Sequence, residues 1–146
     1  MEHSPQLTIE LVWEDSDLEE FCIVANNGQY SGAATVYFAK GDAGVLAGAM
    51  RGFPKTTSQR ETFIGGSEDG ELSFAQLIFL CTDGAGHVAV DVTLSECLFH
   101  QGRRANRNRV QLLLRFEPLA IDAFCRELDA IARRTNTRAV LPGIAA

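Results

Sequence analysis

Apolar Leu7, Ile9, Leu11 and Trp13 alternate with Thr8, Glu10 and Val12 near the start of the chain. A period of two puts the first set on one face, so the pattern predicts a strand that buries all four. The charged run from Glu14 to Glu20 predicts an acidic turn. Phe21 to Ala25 predicts a second strand, and Asn26-Asn27-Gly28 a tight turn, since Asn-Gly suits the hairpin turn that matches strand twist. Tyr30 to Ala39 continues as a third strand. Three strands joined by tight turns predict an antiparallel meander.

A helical segment follows. Asp42 is positioned to cap a helix over Ala43 to Arg51, with Gly52 and Pro54 as stop signals. Gly44, Gly48 and Gly52 recur every four residues and share a face, and each interior glycine costs about 1 kcal/mol relative to alanine. That face either allows close approach or belongs to a weak helix held by Val45, Leu46, Met50 and Phe53. Beyond a polar loop, Glu61 to Ile64 predicts a short strand ended by Gly65-Gly66. Glu68-Asp69-Gly70-Glu71 predicts another turn, which lies outside the residues described below. Leu72 to Cys81 and His87 to Leu94 then predict a hairpin around Asp83-Gly84-Ala85-Gly86. Its first arm is apolar on both faces near Leu77 to Cys81, which suggests a central strand. Its second arm alternates, with Val88, Val90, Val92 and Leu94 inward and Ala89, Asp91 and Thr93 outward.

Cys97 to Arg109 predicts a polar connection. Val110, Leu112, Leu114 and Phe116 form the last strand of the pattern. Pro118 can take the first position of a helix that runs to about Arg134, with Ile121, Phe124, Leu128 and Ile131 as its apolar stripe. Residues 135–146 show no periodicity and predict a flexible tail. The order is β-β-β-α-β-β-β-β-α. It predicts an α+β fold: a curved antiparallel sheet of six to seven strands, with a short middle helix and a C-terminal helix packed on one face. One domain spans residues 1–134.

Composition narrows the classes. The hydrophobic fraction is 46% and the charged fraction 22%, which fits a folded domain rather than a disordered chain. The net charge of −6 disfavours a general nucleic-acid binder and suits a partner with a basic surface. No apolar run reaches the length of a membrane span, and the N-terminus lacks the apolar core of a signal peptide, so a cytoplasmic protein is expected. Cys22, Cys81, Cys97 and Cys125 show no C-x-x-C spacing. They are expected as buried thiols, with no metal site and no cofactor.

Three groups could carry chemistry. His87 lies between Asp83 and Asp91, a pattern compatible with acid–base work. Strand spacing keeps Asp91 from His87, and the plainer account is a histidine that stabilises the hairpin turn. Cys97 and His100 are three residues apart, and a histidine there could lower the thiol pKa. Together His87, Cys97 and His100 define a possible polar pocket on the concave sheet face. Such a pocket would suit ligand binding or catalysis, although no nucleophile with its base and orienting group is evident. The third group is charge. Glu14, Asp15, Asp17, Glu19 and Glu20 form an acidic patch, and Arg103, Arg104, Arg107 and Arg109 form a basic one; either could meet a partner.

Several phrases resemble one family. Gly28-Gln29-Tyr30-Ser31-Gly32 before a strand, Gly86-His87-Val88 at a hairpin exit, and a closing helix with Phe124, Glu127 and Leu128 resemble the WapI-type immunity proteins and related small bacterial domains. The resemblance spans residues 7 to 134, and departs from the family in the arginine-rich 103–109 segment and the glycine-rich first helix. It implies a curved antiparallel sheet backed by a helix. It also implies a non-enzymatic bacterial protein that binds a protein partner, such as a toxin, by occlusion. Self-association through sheet edges or the glycine-rich helix is the other partner expected.

Overall fold

The computed structural model describes residues 4–67, 72–100 and 103–145, with backbone alone for 98–100 and 103–107. Strands β1 (Gln6–Glu14), β2 (Leu18–Asn26) and β3 (Ser31–Ala39) form the expected meander. Helix α1 (Asp42–Met50) leads to β4 (Arg60–Gly66), β5 (Phe74–Cys81), β6 (Val88–His100) and β7 (Arg103–Phe116). A 3-10 turn, Pro118–Ala120, opens into α2 (Ile121–Ala132), and β8 (Arg138–Pro142) follows.

The strands form two four-stranded antiparallel sheets, ordered β3-β2-β1-β8 and β4-β5-β6-β7, where a single curved sheet was expected. The chain leaves the first sheet through α1 and returns to it only with β8. The inner faces of both sheets and the apolar faces of both helices share one core. Aromatic rings join the layers. Phe38 of β3 stacks on Phe63 of β4 with centroids 4.2 Å apart, and Phe21 of β2 meets Phe63 edge-on at 6.0 Å. Gly65 lets β4 lie this close to β3, because a Cβ there would come within 2.6 Å of the Phe38 ring and 2.7 Å of the Tyr37 carbonyl oxygen.

Within the C-terminal segment, expected as a tail, residues 138–142 form a strand. β8 pairs with β1 from Gln6↔Pro142 to Glu10↔Arg138, and it buries Ala139 and Leu141. Glu127 of α2 accepts a hydrogen bond from the Val140 N–H at 2.8 Å, which ties the strand to the helix before it. The expected connection at Cys97 to Arg109 is also largely strand. β6 and β7 pair past the end of β5, out to His100↔Arg103, so they form a long two-stranded arm.

In β6, Val88, Val90, Val92 and Leu94 are buried as expected, but Ala89 and Thr93 are buried too. β6 has neighbours on both sides, so small side chains on its outer face sit between larger residues of β5 and β7. The α2 stripe forms as the spacing predicts, with Ile121, Phe124, Cys125, Leu128 and Ile131 all buried. Helix α1 instead starts after Gly41, with Asp42 already inside it, and it buries Ala43, Leu46, Ala47 and Met50 while Val45 is exposed.

Close approach explains Gly44, whose added Cβ would lie 3.2 Å from Ala132 of α2, but not Gly48, which faces open space. Gly48→Ala is therefore expected to stabilise the protein by about 0.5–1 kcal/mol, through lost freedom of the unfolded chain. A urea titration checks this; an unchanged or lower midpoint contradicts it.

Candidate interaction surface

The acidic segment divides into two faces of the β1–β2 hairpin. A register shift between Leu11 and Trp13 adds one residue to β1, and a one-residue shift reverses the facing of every later side chain. Trp13, expected inward with Leu7 and Ile9, is consequently 46% exposed. It now pairs with Glu20, and Glu14 pairs with Glu19.

Glu14 and Glu19 are like charges directly opposite each other, which is destabilising without a cation between them. Arg134, just past α2, supplies one. Its Nε and Nη2 donate to the two carboxylate oxygens of Glu14 at 2.7 Å each, and Nη2 also donates to Glu19 Oε2 at 2.6 Å. Arg134 Nη1 donates to the Ile131 carbonyl at 2.8 Å, capping the helix end. The backbone of Arg134 adopts φ 62°, a left-handed conformation that turns the chain out of α2.

Glu19 is only 1% exposed, and its second oxygen accepts from the Gly41 N–H at 3.0 Å. Lys40 Nζ donates to Glu14 and to the Asp15 carbonyl, each at 2.7 Å. Asp15 in turn accepts from the Asp17 and Leu18 N–H groups at 2.8 Å and so caps its own turn. Of the five acidic candidates, Glu14 and Glu19 thus hold the hairpin to Gly41, just before α1, and to Arg134, just past α2, while Asp15 closes its own turn. Asp17 and Glu20 are the two left facing outward.

The Glu14 carboxyl is lowered from 4.5 to about 2, first by its bond to Arg134 and then by Lys40. A depressed carboxylate stabilises the fold fully above its unfolded pKa and loses that effect as pH falls through the folded one. Stability is therefore expected to drop between pH 4.5 and about 2, and Glu14→Gln to flatten that part of the curve. Melting temperatures of the two proteins across the window check it; parallel curves contradict it.

On the opposite face Trp13, Glu20 and Tyr37 lie in one row across β1, β2 and β3. Strands one apart sit about 4.8 Å from each other, so β1 and β3 are about 9.6 Å apart. The Trp13 and Tyr37 centroids are nevertheless 6.0 Å apart with an 83° interplanar angle, so the two rings lean together over Glu20. The Tyr37 hydroxyl is held above its usual pKa, first by the charge of Glu20, then by burial, and by its hydrogen bond to Glu20. Leu18, Val24 and Tyr30 are also exposed at this sheet or its β2–β3 turn.

A pocket of about 210 Å³ opens beside the row, lined by Glu20, Thr35, Tyr37, Leu72, Ser73 and Cys97. A wider depression of about 400 Å³ lies at the other end of the same sheet, over Gln6, Val24, Asn26 and Ser31. The sequence reading missed Trp13 and Tyr37. Only long-range pairing reveals them, because nothing local marks the bulge.

The polar pocket candidates do not converge. His87 and Cys97 flank opposite ends of the β6 pairing with β5, about 30 Å apart at strand rise. His87 Nδ1 lies 2.6 Å from Asp83 Oδ2, and Asp83 Oδ1 accepts from the Ala85 and His87 N–H groups at 2.9 and 3.3 Å. The aspartate is thus the residue that organises the turn. Asp91 instead accepts from Gln111 Nε2 at 3.2 Å. His87 borders a pocket of about 210 Å³ with Arg115, Phe116, Pro118 and Ile144, whereas Cys97 lines the one beside Glu20.

The side chains of His100, Arg103, Arg104 and Arg107 lie outside the described residues, while Arg109 is exposed. None of the four cysteines forms a disulfide; Cys125 is buried, and Cys22, Cys81 and Cys97 are partly exposed, where all four were expected buried. Among the described residues, no three of His, Cys, Asp and Glu gather with metal-binding geometry. Among them, too, no helix is long and apolar enough to cross a membrane.

No family model, curated protein or solved structure matches this chain.

Proposed function

We propose that this chain is a small non-enzymatic interaction protein that occludes a protein partner, in the manner its resemblance to WapI-type immunity proteins implies. The partner would be toxin-like, with a basic surface. The contact would be made by the outer face of the sheet β3-β2-β1-β8. The observation that carries this reading is the exposed row of Trp13, Glu20 and Tyr37 on a rigid antiparallel scaffold. Large aromatic side chains dominate binding energy at protein interfaces, and a tryptophan at the centre of one is a common anchor. The net charge of −6 favours a cationic partner and speeds its approach.

Affinity capture from the source cell, followed by calorimetry with the purified partner, tests the reading. Trp13→Ala is expected to weaken binding about tenfold or more, as truncating an interface anchor does. Leu119→Ser, on the 3-10 turn and 92% exposed, is expected to leave it unchanged. Recovery of this chain alone, or equal affinities for the wild type and Trp13→Ala, contradicts the proposal.

The alternative is a ligand-binding or enzymatic domain. Its support is the pocket beside His87, with the Asp83–His87 pair at its edge. If that pocket is the site, ligand-induced melting shifts should vanish in His87→Ala; shifts that survive the substitution dismiss it.

A further inference from the structure

The pocket beside Glu20 has a specific chemistry. One wall is the Tyr37 ring, braced edge-on by Trp13, and the other side is formed by Leu72, Ser73 and Cys97. Among the described residues, one carboxylate, Glu20, lies under the rings and on the lining. Ionised, it offers about four lone-pair sites. This acceptor capacity faces a small, partly apolar space.

Aromatic rings attract a cation through the negative charge of their faces, and the attraction is strongest at tryptophan. Combined with a carboxylate, such rings select a planar, weakly hydrated cation over a compact, strongly hydrated one, because the former can stack and still hydrogen-bond bidentately. Among the described residues, Asp15 adds to the negative potential at Tyr37, and Lys40 and Arg134 are committed to Glu14, Asp15 and Glu19.

We propose that this pocket receives an arginine side chain of the protein partner, with Glu20 as its counter-ion and Tyr37, braced by Trp13, as its aromatic wall. The inference rests on the partner-binding reading and names the group that the outer face recognises. It also gives Glu20 a role distinct from that of Glu14, Asp15 and Glu19, whose carboxylates are spent inside the fold.

The test uses the indole N–H resonance of Trp13, the single tryptophan of the chain. Acetyl-arginine amide is titrated into the labelled full-length protein, with acetyl-citrulline amide as the neutral isostere. The arginine probe is expected to shift the Trp13 signal saturably, together with the amides of Glu20 and Tyr37, and citrulline to leave them in place. Glu20→Gln is expected to weaken the arginine isotherm about tenfold, equivalent to about 1.4 kcal/mol. Its spectrum should otherwise overlay that of the wild type, because Glu20 lies outside the Arg134 network. Tyr37→Phe, which keeps the ring, should weaken it less.

Equal shifts from both probes, no saturable shift, or an isotherm unchanged in Glu20→Gln overturns the assignment. The two proposals can fail separately. A partner that still needs Trp13 while the arginine probe does not bind removes only the arginine pocket. A saturating arginine probe beside a partner indifferent to Trp13→Ala removes the partner reading.

Discussion

Phe63→Ala is expected to cost about 3–5 kcal/mol of folding stability, the range of a phenylalanine lost from a core. Phe63 is nearly fully buried, and it is the point where the two sheets touch through rings: Phe38 stacks on one face and Phe21 meets it edge-on. Removing it leaves a cavity between layers that are held on both sides. β4 is pinned to β5 through seven residue pairs, and β3 to β2 through nine, so neither sheet can collapse into the gap without breaking its ladder. The loss therefore includes the ring–ring interactions and a cavity term as well as transfer of the side chain. Chemical denaturation followed by circular dichroism measures it, and a fall in melting temperature of roughly 10 °C accompanies a loss of this size in a chain this long. Phe63→Leu should recover most of the loss, because volume and not aromaticity supplies most of it. A loss below about 1 kcal/mol for Phe63→Ala, the scale of an ordinary substitution, would mean that β4 does not pack across the first sheet.

Where the sequence was readable, the signals were local. Asn27 Oδ1 accepts from the Gln29 and Tyr30 N–H groups at 3.0 and 2.9 Å, and Gly28 takes a positive φ, so the β2–β3 turn is written in adjacent residues. The stripe of α2 is legible for the same reason, since its period is intrinsic to the helix. The failures share the opposite cause. β8 is a strand of five residues with no alternation to detect beyond Ala139 and Leu141, and only its pairing with β1, at the far end of the chain, makes it one. The division into two sheets is equally non-local: β4 pairs with β5 and not with β3, the strand before it in the chain. Trp13 was placed in the core because the alternation from Leu7 runs straight through Val12, and a bulge of one residue leaves no mark in the pattern. Of the candidate surface, Glu20 was legible as a charge; its aromatic neighbours and its difference from Glu19 were not. Glu19 has a partner 115 residues away, and composition alone makes it look like one more charge in a turn.

That long-range pair gives the other large effect. Arg134→Ala is expected to destabilise the protein by about 3 kcal/mol. Breaking a buried ion pair from one side costs about 3–5 kcal/mol, because the charge left behind is unpaired in a poor solvent. Here the buried charge is Glu19, at 1% exposure, while the Arg134 side chain is 34% exposed, so water screens the pair and the lower end applies. The same substitution frees Glu14 to repel Glu19 directly across the hairpin, and it removes the cap on the Ile131 carbonyl. Two further variants separate the causes. Arg134 sits at φ 62°, where alanine is strained and glycine is not, so Arg134→Gly should be milder than Arg134→Ala by about 1 kcal/mol. Arg134→Lys keeps the charge but loses the fork that binds both oxygens of Glu14, and should fall between alanine and the wild type. A double-mutant cycle with Glu19→Gln isolates the pair itself: once the buried charge is neutral, removing Arg134 should cost markedly less. If Arg134→Ala costs the same in both backgrounds, Glu19 does not depend on Arg134. Glu19 would then rest on its bond to the Gly41 N–H, and the three-way clamp of hairpin, Gly41 and Arg134 would not be what holds the acidic edge in place.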